Sequence, residues 1–443
     1  MNDNSGRKTM LYQNLDALTG FAESHFPERM AEQRDHALNI VAELVSELEG
    51  GAIAPLAILD RDHDLGAMME MADYTLGWAR QIVLLGTGGS SLGPQALARF
   101  QGLTGPSSDY RQAGIRWFFP DNLDGQELAL MFGGLPLDST LFLVVSKSGS
   151  TLETMMQAAF AEQALSSAGL EIKKHMLVIT EPKESPLSRY AAANRLSCLP
   201  HDEDIGGRYA MFSNVGMFPA MLMGLDPRRL RRAASEVVQQ FVSRGIDDDV
   251  ARSAMACEVL QREGYTSVIT YLYADALTTY GSWFRQLWAE SVGKSGSGML
   301  PDVVLGPVGQ HSQLQLHLDG PADKIFTMIS TTNETGMIVP ASEALQDVLH
   351  LVEGMDVGEV VRAQAEATGD ALTARGCPVR RILLDGHDPE DLMRLMASAM
   401  LETIMAARLA DTDPFDQPAV EEGKSRLRHM LAERKPTQSQ EEV

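Results

Sequence analysis

The strongest constraint on the fold is a rhythm. Short apolar runs rich in β-branched and aromatic residues recur at residues 81–85, 115–119, 141–145 and 176–179, with helix-like stretches such as 152–167 between them. Alternation at this spacing reads as a parallel sheet built from β-α units. The same grammar returns with strand-like runs at 267–273, 325–329 and 381–384 and helical patterns near 280–292, 341–352 and 389–407. Two α/β units in tandem are therefore expected, with a boundary around residues 205–225. An amphipathic helix precedes them, with Leu38, Val41, Leu44, Val45 and Leu48 at helical spacing and a stop at Gly50-Gly51. A further helix is expected to begin near Pro418. In residue ranges, this is an N-terminal helical segment (1–55), a first unit (56–205), a second unit (206–410) and a C-terminal helical segment (411–443).

Charge narrows the partners. Thirty-seven Lys and Arg against 60 Asp and Glu give a formal charge of -23, the wrong field for phosphate backbones or anionic lipid. No nucleic acid and no membrane partner are expected. The charge-free runs 81–98 and 209–225 are too short and too broken by Gly, Ser, Asn or Pro to span a bilayer. The N-terminus leads into no apolar segment of the secretory kind, and the three cysteines are scattered with no CxxC pair, which suits a reducing cytoplasm. A small anionic substrate is compatible with such a chain only where a few cations and helix N-termini overcome the background.

Two loops have that character. Gly86-Thr87-Gly88-Gly89-Ser90-Ser91-Leu92-Gly93-Pro94 follows the first strand directly. A glycine-rich turn between strand and helix presents backbone N–H groups to an anion, although a tight turn with no ligand has the same look. The loop fails as a dinucleotide fingerprint because Ser91 stands at the sixth position. It fails as a nucleophile elbow because three residues separate the strand from Gly89-Ser90-Ser91-Leu92-Gly93. The second loop, Ser146-Lys147-Ser148-Gly149-Ser150-Thr151, closes the strand at 141–145. Ser150 and Glu153 there make a capping box, and the concentration of hydroxyls with a lysine is what a dianionic phosphate monoester needs. Two such loops in one sheet point to a phosphorylated ligand.

Other patterns fail. Gly293-Lys294-Ser295 and Gly423-Lys424-Ser425 lack the glycine five positions upstream that a Walker A loop requires, having Trp288 and Pro418 there. Asp60, Asp62 and Asp64 open like an EF-hand but meet Leu65 and Met71 at its sixth and twelfth positions, so a solvated loop ahead of a helix is the expectation. What remains is scattered: Gly206-Gly207-Arg208, Gln286 and Glu290, Gly309-Gln310-His311-Ser312, and Phe415-Asp416-Gln417 followed by Lys424. Each alone reads as an ordinary ion-pair partner, solvated helix residue or hydrogen-bonded histidine. Glu290 lies late in a helix, where the dipole opposes a carboxylate, a setting that suits a general base.

Taken together, GTGGSSLGP, SKSGSTLET, GGRY, QLWAESVGK, GQHSQLQLHLDGP and FDQPAVEEGK occur in one order, and in that order the chain resembles the glucose-6-phosphate isomerase (phosphoglucose isomerase) family. The resemblance implies an α/β fold of two tandem doubly wound αβα sugar-isomerase (SIS) domains with helical segments at both ends. It implies an aldose-ketose isomerase working through a cis-enediol(ate), with no cofactor and no metal, in a homodimer. By the same resemblance Glu290 is the base, His311 the ring-opening residue supplied by the neighbouring subunit, Arg208 the group facing the enediolate, and Lys424 the lysine near the ring oxygen. Phosphate and substrate contacts fall on Gly89, Ser90, Ser146, Lys147, Ser148, Gly149, Ser150, Thr151, Gln286 and Gln417. The phosphate loop reads Ser148-Gly149-Ser150 where many members carry a bulkier Thr-Phe-Thr type sequence, which leaves open a dual glucose/mannose phosphate isomerase. A non-catalytic SIS-type sugar-phosphate sensor predicts that the base is lost, and Glu290 is present.

Overall fold

The apolar rhythm is realised as two five-stranded sheets in the computed structural model, which describes residues 12–105, 114–332 and 335–434. The described chain opens with a short strand, β1 (Tyr12–Asn14), and the helices Asp16–His25 and Pro27–Glu49. The first sheet follows: β2 (Gln81–Leu85), β3 (Arg116–Phe118), β4 (Thr140–Val145), β5 (Met176–Thr180) and β6 (Ser197–Pro200). All are parallel, in the order β3-β2-β4-β5-β6. The second sheet holds β7 (Ser267–Leu272), β8 (Leu300–Leu305), β9 (Lys324–Thr331) and β10 (Val379–Leu384), in the order β1-β10-β9-β7-β8. These four are parallel and β1 pairs antiparallel with β10, so the N-terminal segment contributes a strand to the second unit as well as helices. Each sheet reverses its direction of growth once, between β2 and β4 and between β7 and β9. In doubly wound folds the crevice outside that reversal is where ligands bind.

Side-chain parity builds the layers. Ile82 and Leu84 of β2 face one way into a large core, whereas Val83 and Leu85 face the other way, onto the helices Leu152–Ser167 and Pro186–Asn194. In the second sheet Val268 and Leu272 join the same large core, and Ile269 and Tyr271 pack outward with residues of the helix Val357–Ala374. The large core also takes in the helices Leu92–Phe100, Asn214–Leu222, Pro227–Arg244, Asp249–Arg262, Thr278–Val292 and Pro389–Leu409. Every residue from 208 to 222 is buried, which is unusual for a stretch joining two units. No helix among the described residues is long and apolar enough to cross a membrane.

Several expectations are corrected. The edge strands β6 and β8 carry no continuous apolar run, and β8 places Pro301 and Asp302 in a position only an edge tolerates. The pattern at 341–352 is a single helical turn, Gln346–Leu349, with Leu345, Val348 and Leu351 exposed. The C-terminal helix, in contrast, begins at Val420, close to the Pro418 expected. Asp64 is not a solvated loop residue: its carboxylate accepts 2.9 and 2.7 Å bonds from both terminal nitrogens of the buried Arg231, and Asp60 accepts from Ser235 at 3.1 Å.

Candidate active site

The two glycine- and serine-rich loops leave β2 and β4, the strands that flank the reversal of the first sheet, and each feeds a helix whose first turn has no side-chain cap. The hydroxyls that could have capped them are used elsewhere. Ser91 Oγ accepts a 2.9 Å bond from Gln95, and Thr151 Oγ1 lies 3.0 Å from the buried Ser146 Oγ. The expected capping box of Ser150 and Glu153 is not formed, because Ser150 turns its hydroxyl and its N–H to Ser148 Oγ at 3.1 and 3.3 Å. Two helix N-termini without side-chain caps therefore follow adjacent strands of one sheet, each carrying about half a positive charge. Gly149 sits at φ +62°, and a methyl group there would collide with Ser185, so the loop's reversal needs a residue without a side chain. Lys147 is tied down: its ammonium donates to the carbonyls of Glu203 (2.7 Å) and Ile205 (3.0 Å) and stands 3.5 Å from the Glu181 carboxylate.

Across from these loops stands the 3-10 turn Gly207–Phe212. It touches the first loop backbone to backbone. A methyl group on Gly89 would collide with the carbonyl of Gly207, and one on Gly88, which sits at φ +55°, would lie 2.8 Å from Gln286 Nε2. Gly89→Ala is expected to push the two loops apart, at about 1–3 kcal/mol of overpacking, and to weaken sugar-phosphate binding more than it lowers the melting temperature. Melting curves with and without ligand measure both effects, and an unchanged ligand-induced shift would refute the account.

Arg208 is the centre of the arrangement and is only 2% exposed. Its Nε donates to Ser291 Oγ at 2.8 Å, Nη1 to Glu290 Oε2 at 3.4 Å and to Gln417 Oε1 at 2.6 Å, and Nη2 to the carbonyls of Pro414 at 2.6 Å and Asp416 at 3.0 Å. A guanidinium has five N–H groups, and all five have partners here. Glu290, whose side chain is 30% exposed, is held on its other oxygen by Gln286 Nε2 at 3.1 Å. The carbonyl end of the helix Thr278–Val292 repels that carboxylate and the guanidinium attracts it. Gln286 Oε1 is buried without a hydrogen-bond partner among the described residues.

The residues expected from sequence thus divide. Arg208, Gln286, Glu290 and Gln417 are brought together, with Gly89 and Ser90 on the loop that abuts the Arg208 turn. Ser146, Ser148, Gly149, Ser150 and Thr151 form the neighbouring loop. His311 is exposed at the end of the turn Val308–His311, with no hydrogen-bond partner among the described residues. Lys424 is exposed on the helix Val420–Arg434, paired at 2.6 Å with Glu421. Three residues given no role from sequence also support the cluster. Ser291 accepts from Arg208, and Tyr209 bonds Ser291 at 3.0 Å and the Pro414 carbonyl at 3.3 Å. Burial pushes the Tyr209 phenol up to about 12, so it remains a donor. Lys294 holds Asp413 and Asp416. GGRY and QLWAESVGK contained all three, as neighbours of the residues that were read.

Comparison with known proteins places the chain in a family. Residues 66–442 match the family described as phosphoglucose isomerase. A glucose-6-phosphate isomerase of Rubrobacter xylanophilus is 36% identical over 375 residues, spanning 82% of this chain and 85% of that protein. One from Thermus thermophilus is 30% identical over 389 residues, spanning 85% and 90%. Among solved structures, a hypothetical protein from Thermus thermophilus superposes with a TM-score of 0.83 at 28% identity, covering 96% of this chain and all of that one. A glucose-6-phosphate isomerase from Chlamydia trachomatis shares the fold, with a TM-score of 0.76 at 20% identity over 96% of this chain and 87% of its own. The chain belongs to the phosphoglucose isomerase family.

Proposed function

We propose that this protein interconverts glucose 6-phosphate and fructose 6-phosphate, and that the cluster of Glu290, Arg208, Gln286 and Gln417 beside two uncapped helix N-termini performs the reaction. The carrying observation is the placement of a partly exposed carboxylate against a buried, fully hydrogen-bonded guanidinium, next to the phosphate loops. The phosphate sits on the loops after β2 and β4, held by their N–H groups and by the hydroxyls of Ser90, Ser146, Ser148, Ser150 and Thr151. Lys147 shapes the loop from behind. Glu290 removes the proton from C2 of the open-chain aldose, the C1 carbonyl oxygen gains negative charge, and Arg208 stabilises the resulting enediolate. The hydroxyl proton on O2 passes to O1, and return of the carbon-bound proton to C1 then leaves a carbonyl at C2 and a hydroxyl at C1, with no net redox change. Arginine suits this position because it does not surrender its proton.

Ring opening falls to His311 from a second copy, with Lys424 closing over the sugar. The exposure of His311, and of Val308 and Leu316 beside it, supports a homodimer built on this face. Three free, scattered thiols support a cytoplasmic enzyme. The test is a coupled assay of fructose 6-phosphate conversion, run beside mannose 6-phosphate. Turnover of the first alone establishes a strict glucose-phosphate isomerase, and turnover of both the dual-specificity form. Binding without turnover overturns the catalytic reading in favour of a sensor.

A further inference from the structure

Residues 413–417, in the segment that joins the buried helix Pro389–Leu409 to the exposed helix Val420–Arg434, are gripped by two cations. Arg208 takes the carbonyls of Pro414 and Asp416 and the side chain of Gln417. Lys294, whose side chain is 11% exposed, donates to the Asp413 carbonyl and pairs with Asp416 Oδ1 at 2.6 Å. Asp413 Oδ1 closes the turn by accepting the Phe415 N–H at 2.8 Å, and the Phe415 ring packs 5.4 Å from that of Tyr209. Lys294 lies two residues beyond the end of the helix that carries Gln286 and Glu290, so the pin and the base share one element. Asp416 is bound from both sides, its carbonyl on Arg208 and its carboxylate on Lys294.

Gln417 is the residue after that double anchor, and its amide oxygen lies on the same Arg208 nitrogen that reaches Glu290. All five Arg208 donors are occupied, so an enediolate oxygen can reach the guanidinium only by taking the place of an existing partner. Nη2 and Nε hold backbone carbonyls and the buried Ser291, whereas Nη1 holds two side chains of more exposed residues, Glu290 and Gln417. The identity of the displaced partner, and the position in which it waits, therefore depend on how the 413–417 segment is fixed.

We propose that Lys294 is a positioning residue for the isomerisation, which sets Gln417 on Arg208 Nη1 through Asp413 and Asp416. This rests on the isomerase reading above. It touches no reacting atom, and its effect is transmitted by geometry, where misplacement by about 1 Å costs up to roughly 100-fold in rate.

Steady-state kinetics on fructose 6-phosphate, with melting temperatures, test the inference in Lys294→Met, Lys294→Arg, Asp416→Asn, Gln417→Ala and the Lys294→Met/Gln417→Ala double variant. The expected result is a kcat about 10- to 100-fold lower in Lys294→Met with KM changed less than about threefold. Asp416→Asn, which alters a half-exposed carboxylate, gives a loss of the same kind, and Lys294→Arg restores most of the rate. The double variant falls no further than Gln417→Ala alone, because both changes act on one residue. A folded Lys294→Met or Asp416→Asn with wild-type kcat overturns the inference, as does a double variant whose losses multiply. A loss of rate in proportion to a fall in melting temperature, without rescue by Arg, also overturns it. Absence of turnover in the unaltered protein overturns the isomerase reading instead.

Discussion

Glu290→Gln is expected to lower kcat by about 10²- to 10⁴-fold while leaving the protein folded and able to bind sugar phosphate. The substitution is close to isosteric, and its surroundings tolerate an amide. Arg208 Nη1, which now donates to Glu290 Oε2 at 3.4 Å, can donate to an amide carbonyl oxygen in the same place. Gln286, which now donates to the other oxygen at 3.1 Å, has an unpartnered Oε1 it can turn toward an amide N–H. What disappears is the one group in the cluster that can accept a proton from carbon. The decisive measurement is incorporation of solvent deuterium into the sugar during turnover, run beside the coupled assay. Loss of both in a protein with an unchanged melting temperature places the base at Glu290, and kcat within about tenfold of wild type removes it from that role. Mixing Glu290→Gln with His311→Ala subunits extends the measurement. Recovered activity supports a histidine supplied across the interface, and none after confirmed subunit exchange excludes it.

Arg208→Met is expected to be the most damaging single change to stability in the site, at about 3–5 kcal/mol. The guanidinium is buried, and its removal takes the donor from the Asp416 carbonyl, leaves the Pro414 carbonyl and Ser291 Oγ to Tyr209, and leaves the Glu290 carboxylate to Gln286 without its countercharge. The 413–417 segment loses three of its hydrogen bonds at once. Arg208→Lys separates charge from shape. An ammonium keeps the positive charge but has three donors and no planar fork, so it cannot span Ser291, Gln417 and the two carbonyls. It should therefore recover only part of the stability while losing about 10²- to 10³-fold in kcat, the scale of a lost enediolate donor. Chemical denaturation and kinetics on the two variants check this. An Arg208→Lys enzyme with near-normal kcat would show that charge alone suffices and that the five-bond geometry is incidental.

The sheets were legible because β2, β4 and β5 are buried throughout and almost wholly apolar, which leaves a parallel strand as the plain reading. β6, with mostly exposed side chains, and the three-residue β1 hold their places by pairing, which composition does not record. The phosphate loops were legible for a related reason, since a glycine at positive φ and a cluster of hydroxyls leave a local mark. The capping box was misread because the hydroxyls of Ser150 and Thr151 bond to Ser148 and Ser146 instead, a choice made by the loop's tertiary path. Glu290 and Arg208 could be placed only through the family resemblance, since 82 residues separate them in sequence and nothing local brings them together. The supporting roles of Lys294, Ser291 and Tyr209 were beyond reach for the same reason: each is defined by what the 413–417 segment or Arg208 does on arriving there.

The shared core has a further implication. Inward-facing residues of both sheets close on the same helices, and the crossing stretch from 208 to 222 is buried at every position, so the interior has no seam. A fold put together from two similar halves has thereby given up the freedom of its halves. The helix that carries Glu290 packs on β8 of the second sheet and on the helix Leu92–Phe100 that follows β2 of the first, so a disturbance that loosens either half reaches the base through that common interior.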